Sequence, residues 1–442
     1  MSKTPKTAAK EKVDLLIVNA SELITLAGDN QKPRTGKRMR ELGIIRNGCL
    51  AIKDGRIWAV GKTNDIRKMV KAENIINASG KTVMPGFVDP HTHLVFAGSR
   101  EEEFQMRVEG ASYMEILNSG GGILKTVKDT RKSSVDGLLG FGLNTLDVML
   151  MYGTTTVEAK SGYGLTTKDE LKILEVIKRL NQLHAVDVVP TFMGAHAIPA
   201  EYRGNTEEYV RLVVDEMIPA VAERKLAEFC DVFCEKGVFS LEQSKKILVA
   251  AKNHGLKLKI HADEMSQFGG AELAANLSAV SAEHLLFSSD AGLKAMAEKG
   301  VIAVLLPAAA FSLMCGRYAD ARKMVDFGVP VALGTDFNPS CWTENQQLVI
   351  AFACYFMHMT PAEAITAATI NAAHALCMAD EIGSLEVGKK ADIIILNVPN
   401  HVFLGYRFGV NLADKVIKNG RVVVDEETNI ADTVKLFSKE LE

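Results

Sequence analysis

No stretch of this chain reaches about eighteen uninterrupted apolar residues, so the sequence offers no candidate for a membrane-crossing helix. Short CxxC pairs are also missing: the seven cysteines are scattered and odd in number, which argues against a secreted disulfide framework and fits a reducing cytoplasm. Charge of one sign is not in surplus either. With 51 basic against 54 acidic residues and a formal charge of −3, no strong net field recruits nucleic acid or an anionic membrane. The expected partner is a small-molecule substrate held by local groups. Internal repeats and low-complexity tracts are absent.

What is present is ample apolar content, 47% of 442 residues, enough for a large α/β barrel with a smaller domain beside it. Both ends of the chain read as short strands broken by turn signals. Asp54-Gly55 and Asn419-Gly420 lie between apolar runs and supply the positive φ of tight hairpins. Residues 13–84 and 386–437 are therefore expected to form one composite domain, a small β-sandwich built from both chain termini. Between them, over 85–385, short apolar runs alternate with helical periodicity, as in Lys168 to Leu183 and Glu207 to Lys225.

Eight such runs are found: MPGFVDPHTH, GTTTVEAKSG, VDVVPTFMGAH, CDVFCEKG, LKLKIHADE, AVSAEHL, VIAVLLPA and VPVALGTDFN. They are nearly continuous in apolar residues, as parallel strands covered by helices require. The expected fold class is α/β, a (β/α)8 barrel of the TIM type. Most runs end in His, Asp, Glu or Lys, and barrel sites are built at those C-terminal strand ends. The interval from Leu94 to Tyr152 is too long for one helix and carries Gly120-Gly121-Gly122, so an active-site loop is expected there.

His91-Thr92-His93 closes the first run, and alternate residues on an extended chain face one way, so both imidazoles can share a metal. His261 ends the fifth run and Asp336 the eighth. Three imidazoles and one carboxylate suit one divalent metal per chain, zinc or iron. A bound metal brings the pKa of water towards about 7 in favourable cases, making water the nucleophile. Asp336 and His284, at the end of the sixth run, both qualify as the working base, and His284 also as an electrophile. Glu264, three residues after His261, is placed to hydrogen-bond a substrate N–H. Lys160 pairs with Glu158 or lines the pocket more readily than it forms a carboxylated metal bridge. Cys230 and Cys234 lie within an apolar strand and read as buried hydrophobes.

The segment PGFVDPHTHLVFAGSR, followed by SGYGL, FMGAHAIP, KIHADE, AVSAEHL and GTDFNP, resembles the amidohydrolase superfamily and, within it, the imidazolonepropionase family. The resemblance runs over nearly the whole chain. It implies hydrolysis of the ring C–N bond of 4-imidazolone-5-propanoate to N-formimidoyl-L-glutamate in histidine degradation. It further implies that Arg100 binds the propionate, that Tyr163, His196 and Asn338 contact substrate, that Glu264 holds the imidazolone ring, and that the chain is a homodimer. At Ser340-Cys341 this sequence departs from the glycine and hydroxyl residue frequent in the family. Serine restricts φ and a thiol is a poorer donor, so contacts there depend on backbone groups. Two other readings stand beside this one. The first is an amidohydrolase acting on another cyclic amide or imide, or a deaminase; the second is a non-enzymatic interaction protein of the same fold.

Overall fold

The computed structural model describes residues 10–111, 115 and 121–425. The N-terminal strands are β1 (Glu11–Ala20), β2 (Glu22–Ile24), β3 (Ile44–Ile45), β4 (Gly48–Lys53), β5 (Arg56–Lys62), β6 (Val70–Asn77) and β7 (Thr82–Pro85). The barrel strands are β8 (Phe87–Asp89), β9 (Thr154–Lys160), β10 (Asp187–Ala195), β11 (Phe229–Cys234), β12 (Lys257–Ala262), β13 (Ser281–His284), β14 (Ile302–Leu305) and β15 (Val331–Leu333). The chain returns through β16 (Ile393–Leu396), β17 (Ala413–Lys418) and β18 (Arg421–Asp425).

Asp54 and Gly55 have φ of 51° and 73°, and Asn419 and Gly420 have 48° and 79°. Both dipeptides make the hairpin turns their chemistry favours, one joining β4 to β5 and the other β17 to β18. The two sheets they belong to differ in origin. A four-stranded sheet, β5-β4-β1-β6, comes from the N-terminal segment alone, whereas the six-stranded sheet β18-β17-β16-β7-β2-β3 mixes both ends of the chain. β16 runs antiparallel to β7, so the returning C-terminal segment is stitched to the N-terminal one by main-chain bonds.

Side-chain alternation explains why β16 is apolar throughout. Ile393 and Ile395 pack between the two sheets with Leu15, Ile17, Leu50, Ile52, Val83 and Ile417. Ile394 and Leu396 face the other way and join the barrel core with Met84 and Val416. We propose the division 13–84 plus 386–437 against 85–385 on this topology; residues 426–437 lie outside the described residues.

All eight apolar runs are strands of one parallel sheet, in the order β8 to β15. Just past the strand ends, His93 N–H donates to Phe337 O at 2.8 Å and Asp336 N–H to His91 O at 3.0 Å. These bonds close the barrel and bring the first and last strands' polar ends together. The long first interval holds helices Glu101–Val108, Ile123–Lys132 and Val135–Met151. Of its glycine run, Gly120 lies outside the described residues. The expected helix over 207–225 is one helical path from Thr206 to Glu223, interrupted by a π turn at Val213–Met217 just before Pro219.

Glu363 links Arg40 of the N-terminal segment to Arg322. It closes the capping box of the helix Pro361–Ala367 and pairs with Arg322 and Arg40 at 3.0 Å each. Burial opposes its charge, but the Arg322 hydrogen bonds and the Thr360 cap hold its carboxyl down to about 2. A depressed carboxylate stabilises the fold above its unfolded value and loses that contribution as pH falls through its folded one. Glu363→Gln is thus expected to cost on the order of 2 kcal/mol at pH 7, with the deficit shrinking between about pH 4.5 and 2 in denaturant titrations. A deficit independent of pH would refute the charge assignment.

Candidate metal centre

The four proposed ligands converge on one point at the barrel mouth. His91 Nε2 lies 3.4 Å and His93 Nε2 3.7 Å from Asp336 Oδ1. The ring centroids of His91 and His261 are 4.7 Å apart, and His91, His93 and His261 offer nitrogen atoms within 4.8 Å of one another. His91, His284 and Asp336 form an overlapping set.

Three of these atoms carry the test of whether the residues fit a cation. His91 Nε2, His261 Nε2 and Asp336 Oδ1 are fully buried and have no hydrogen-bond partner among the described residues. Buried polar atoms without partners are costly, and convergent lone pairs of this kind are satisfied by a metal. Each of the two imidazoles is held from behind: His91 Nδ1 lies 2.9 Å from Glu283 Oε2 and His261 Nδ1 3.0 Å from Asp231 Oδ2. With Nδ1–H donating to a carboxylate, the Nε2 lone pair is free to face the mouth. Burial also holds His91 and His93 well below the ordinary imidazole pKa, so both are neutral donors at pH 7. The donor set fits one divalent cation.

The remaining residues singled out from the sequence line a cavity of about 710 Å³ above this point: Arg100, Tyr163, His196, Glu264, His284, Asn338, Ser340 and Cys341. His196 stacks on His93 at 4.7 Å with an interplanar angle of 14°, and its Nδ1 lies 3.1 Å from Gly162 O. Burial lowers the His196 pKa to about 3, so this ring stays neutral. Tyr163 sits in a loop whose backbone N–H groups, at Gly162, Gly164 and Leu165, donate to the buried Glu170 carboxyl at 2.8 to 3.0 Å. Gly162 is required there: its φ is +107°, and a Cβ would come within 3.0 Å of His196.

His284 Nε2 is 3.6 Å from Glu264 Oε2. Burial, reinforced by the Asp336 charge, raises the Glu264 carboxyl to about 8; burial likewise raises Asp336 to about 7. His284, Leu285 and Asp336 all adopt positive φ, between 51° and 69°, a cost that non-glycine residues sustain where the surrounding structure imposes it.

Arg100 does two things at once. Its Nε and Nη2 form a fork with Glu103 at 2.9 and 2.6 Å, and Glu103 also accepts Gly122 N–H at 2.8 Å. The guanidinium is thereby fixed at the rim of the cavity, and Gly121 and Gly122 are drawn into its wall. The Asn338 amide is spent on its own loop: Oδ1 accepts Ser340 N–H and Cys341 N–H, and Nδ2 donates to Asp336 O. Cys341 is fully buried with its thiol 3.5 Å from Thr335 O. Cys230 and Cys234 are buried free thiols in β11, raised in pKa by burial.

Sequence reasoning missed Asp231 and Glu283, the carboxylates behind two ligands. The available signal was a charged residue at alternate positions inside apolar strands, which points it into the barrel. Lys160 does pair with Glu158, at 2.9 Å, and with Asp231 at 2.8 Å. Burial disfavours its charge, but these carboxylates outweigh burial and raise its pKa.

A parallel (β/α)8 barrel with histidines and an aspartate at its C-terminal mouth defines a metal-dependent hydrolase, and the chain belongs to the amidohydrolase family, which it matches over residues 82–423. A zinc-bound adenosine deaminase from Xanthomonas campestris has the same fold, with a TM-score of 0.71 at 19% identity over 98% of each chain. Much closer in sequence are imidazolonepropionases. That of Alkaliphilus metalliredigens is 55% identical over 94% of this chain and 99% of its own, and that of Geobacillus kaustophilus 54% identical over 93% and 98%.

Proposed function

We propose that the chain hydrolyses 4-imidazolone-5-propanoate to N-formimidoyl-L-glutamate, a ring-opening step of histidine degradation. The observation that carries this reading is the cavity itself: an imidazole cluster with unpartnered buried lone pairs on its floor and the Arg100 guanidinium in its lining. Identity of 51 to 55% to imidazolonepropionases over nearly their full length supports the same substrate.

His91, His93, His261 and Asp336 would hold one zinc or ferrous ion, since imidazole and carboxylate accept both. When bound, the ion acts as a Lewis acid and lowers the pKa of water towards neutrality. The residues then divide the work. Arg100 pairs with the propionate carboxylate, and Glu264 accepts a ring N–H, with Tyr163 and His196 against the ring. Asn338 holds the turn through Ser340 and Cys341, whose backbone meets the ligand. His284, kept neutral by burial, donates to the carbonyl oxygen. Asp336 takes a proton from water as its oxygen adds to the carbonyl carbon, and delivers that proton to the ring nitrogen as the C–N bond breaks.

The seven free cysteines support a reducing, cytoplasmic setting, and the exposed aromatics Tyr355, Phe356, Tyr406 and Phe408 support assembly as a homodimer.

Comparing 4-imidazolone-5-propanoate with the imidazolone lacking the propionate tests the substrate. The acid is expected to be favoured in kcat/KM by at least about a hundredfold, the worth of a well-placed charge pair. Equal rates would sink the role of the carboxylate and with it this substrate.

A further inference from the structure

Beneath the metal ligands lies a layer of five charged residues, Glu158, Lys160, Asp231, Lys259 and Glu283, all with fully buried side chains. Charges this deep are expensive unless each is paired, so their retention in a barrel interior calls for a use. Their contacts form one path. From His261 Nδ1 it runs to Asp231, from Asp231 to Lys160 at 2.8 Å, from Lys160 to Glu158 at 2.9 Å, and from Glu158 to Lys259 at 3.3 Å. Lys259 lies 3.8 Å from Glu283, which ends the path on His91 Nδ1. Ser281 fixes Glu283 with a 2.5 Å hydrogen bond, and Thr191 donates to Glu158.

We propose that this path is a single positioning unit for the metal centre, in which Lys160, Glu158 and Lys259 set metal affinity although none of them touches a ligand. The reasoning rests on the assignment of His91, His93, His261 and Asp336 as ligands. Asp231 and Glu283 each fix one imidazole as the Nδ1–H tautomer with its ring plane aimed at the mouth. A carboxylate can do so only while its own position and charge are held, and the two lysines hold them. Because Glu158 stands between both lysines, the two imidazoles are not tuned separately: a change at either end is felt along the ion pairs.

Zinc affinity of the full chain, measured by competition with a chromophoric chelator, tests this. Asp231→Asn and Glu283→Gln are expected to weaken zinc by about 10- to 100-fold, the range for losing a partner behind a metal-bound histidine. Glu158→Gln and Lys160→Met are expected to weaken it by about tenfold or more, Lys160→Arg to recover most of that loss, and Asp231→Asn with Glu283→Gln to lose less than the product of the single effects. A folded Glu158→Gln or Lys160→Met chain that binds zinc within about twofold of the unaltered one overturns the proposal. Should removal of a buried charge prevent folding, the unaltered metal-free chain still decides it. Its imidazole nitrogen spectrum should show Nδ1–H at both His91 and His261, and Nε2–H at either overturns the proposal. Asp336→Asn serves as the separate control: zinc binding that survives it intact would refute the ligand assignment itself and this inference with it.

Discussion

Replacing His261 by alanine is expected to yield folded protein that purifies without stoichiometric metal and opens the imidazolone ring at least about a thousandfold more slowly. Among the described residues, His261 and His91 are the imidazoles whose Nε2 is both buried and unpartnered while Nδ1 is tied to a carboxylate. Without His261, the cation loses an imidazole donor and Asp231 loses the ring it orients. Lewis-acid stabilisation is worth several kcal/mol, and about 4 kcal/mol is a factor of about a thousand. Metal content by elemental analysis and turnover are measured on the same sample. A His261→Ala chain that keeps one metal and near-normal turnover would remove His261 from the ligand set.

Arg100→Ala is expected to keep its metal and to lose about 30- to several-thousand-fold in kcat/KM, chiefly through KM, as truncating one member of a desolvated charge pair costs about 2 to 5 kcal/mol. The structure raises a competing account, since Arg100 is also forked onto Glu103, which anchors Gly122 at the cavity wall. Glu103→Gln separates the two. It loosens the anchor but leaves the cation, so its effect on KM should be small beside that of Arg100→Ala. If the two variants match, Arg100 acts on the wall and not on the substrate.

Much of this site could be read from the sequence because barrel physics puts function where a pattern changes. Each of β8 to β15 is an apolar run, and the polar residues that end most of them mark the mouth, among them His91, His93, His261, His284 and Asp336. The hairpins at Asp54-Gly55 and Asn419-Gly420 were equally plain, since few dipeptides tolerate two positive φ values. What lay hidden was set by contacts between distant strands. β2 and β3, of three and two residues, are too short to show alternation, so the separate origins of the two sheets were not visible. Asp231 and Glu283 sit inside strands, where a charge reads as an irregularity until a partner more than twenty residues away in sequence is known. The direction of the Cys341 thiol depends on a turn held by Asn338, and the double engagement of Arg100 on a helix that begins at the next residue.

The most direct test of the central claim follows the ultraviolet absorbance of freshly generated 4-imidazolone-5-propanoate with metal-replete and chelator-stripped protein side by side. Rapid loss in the replete sample alone, restored to the stripped one by about one equivalent of zinc or ferrous ion, is the predicted result. Equal loss in both samples, or none from a chain that demonstrably holds one metal, would contradict it.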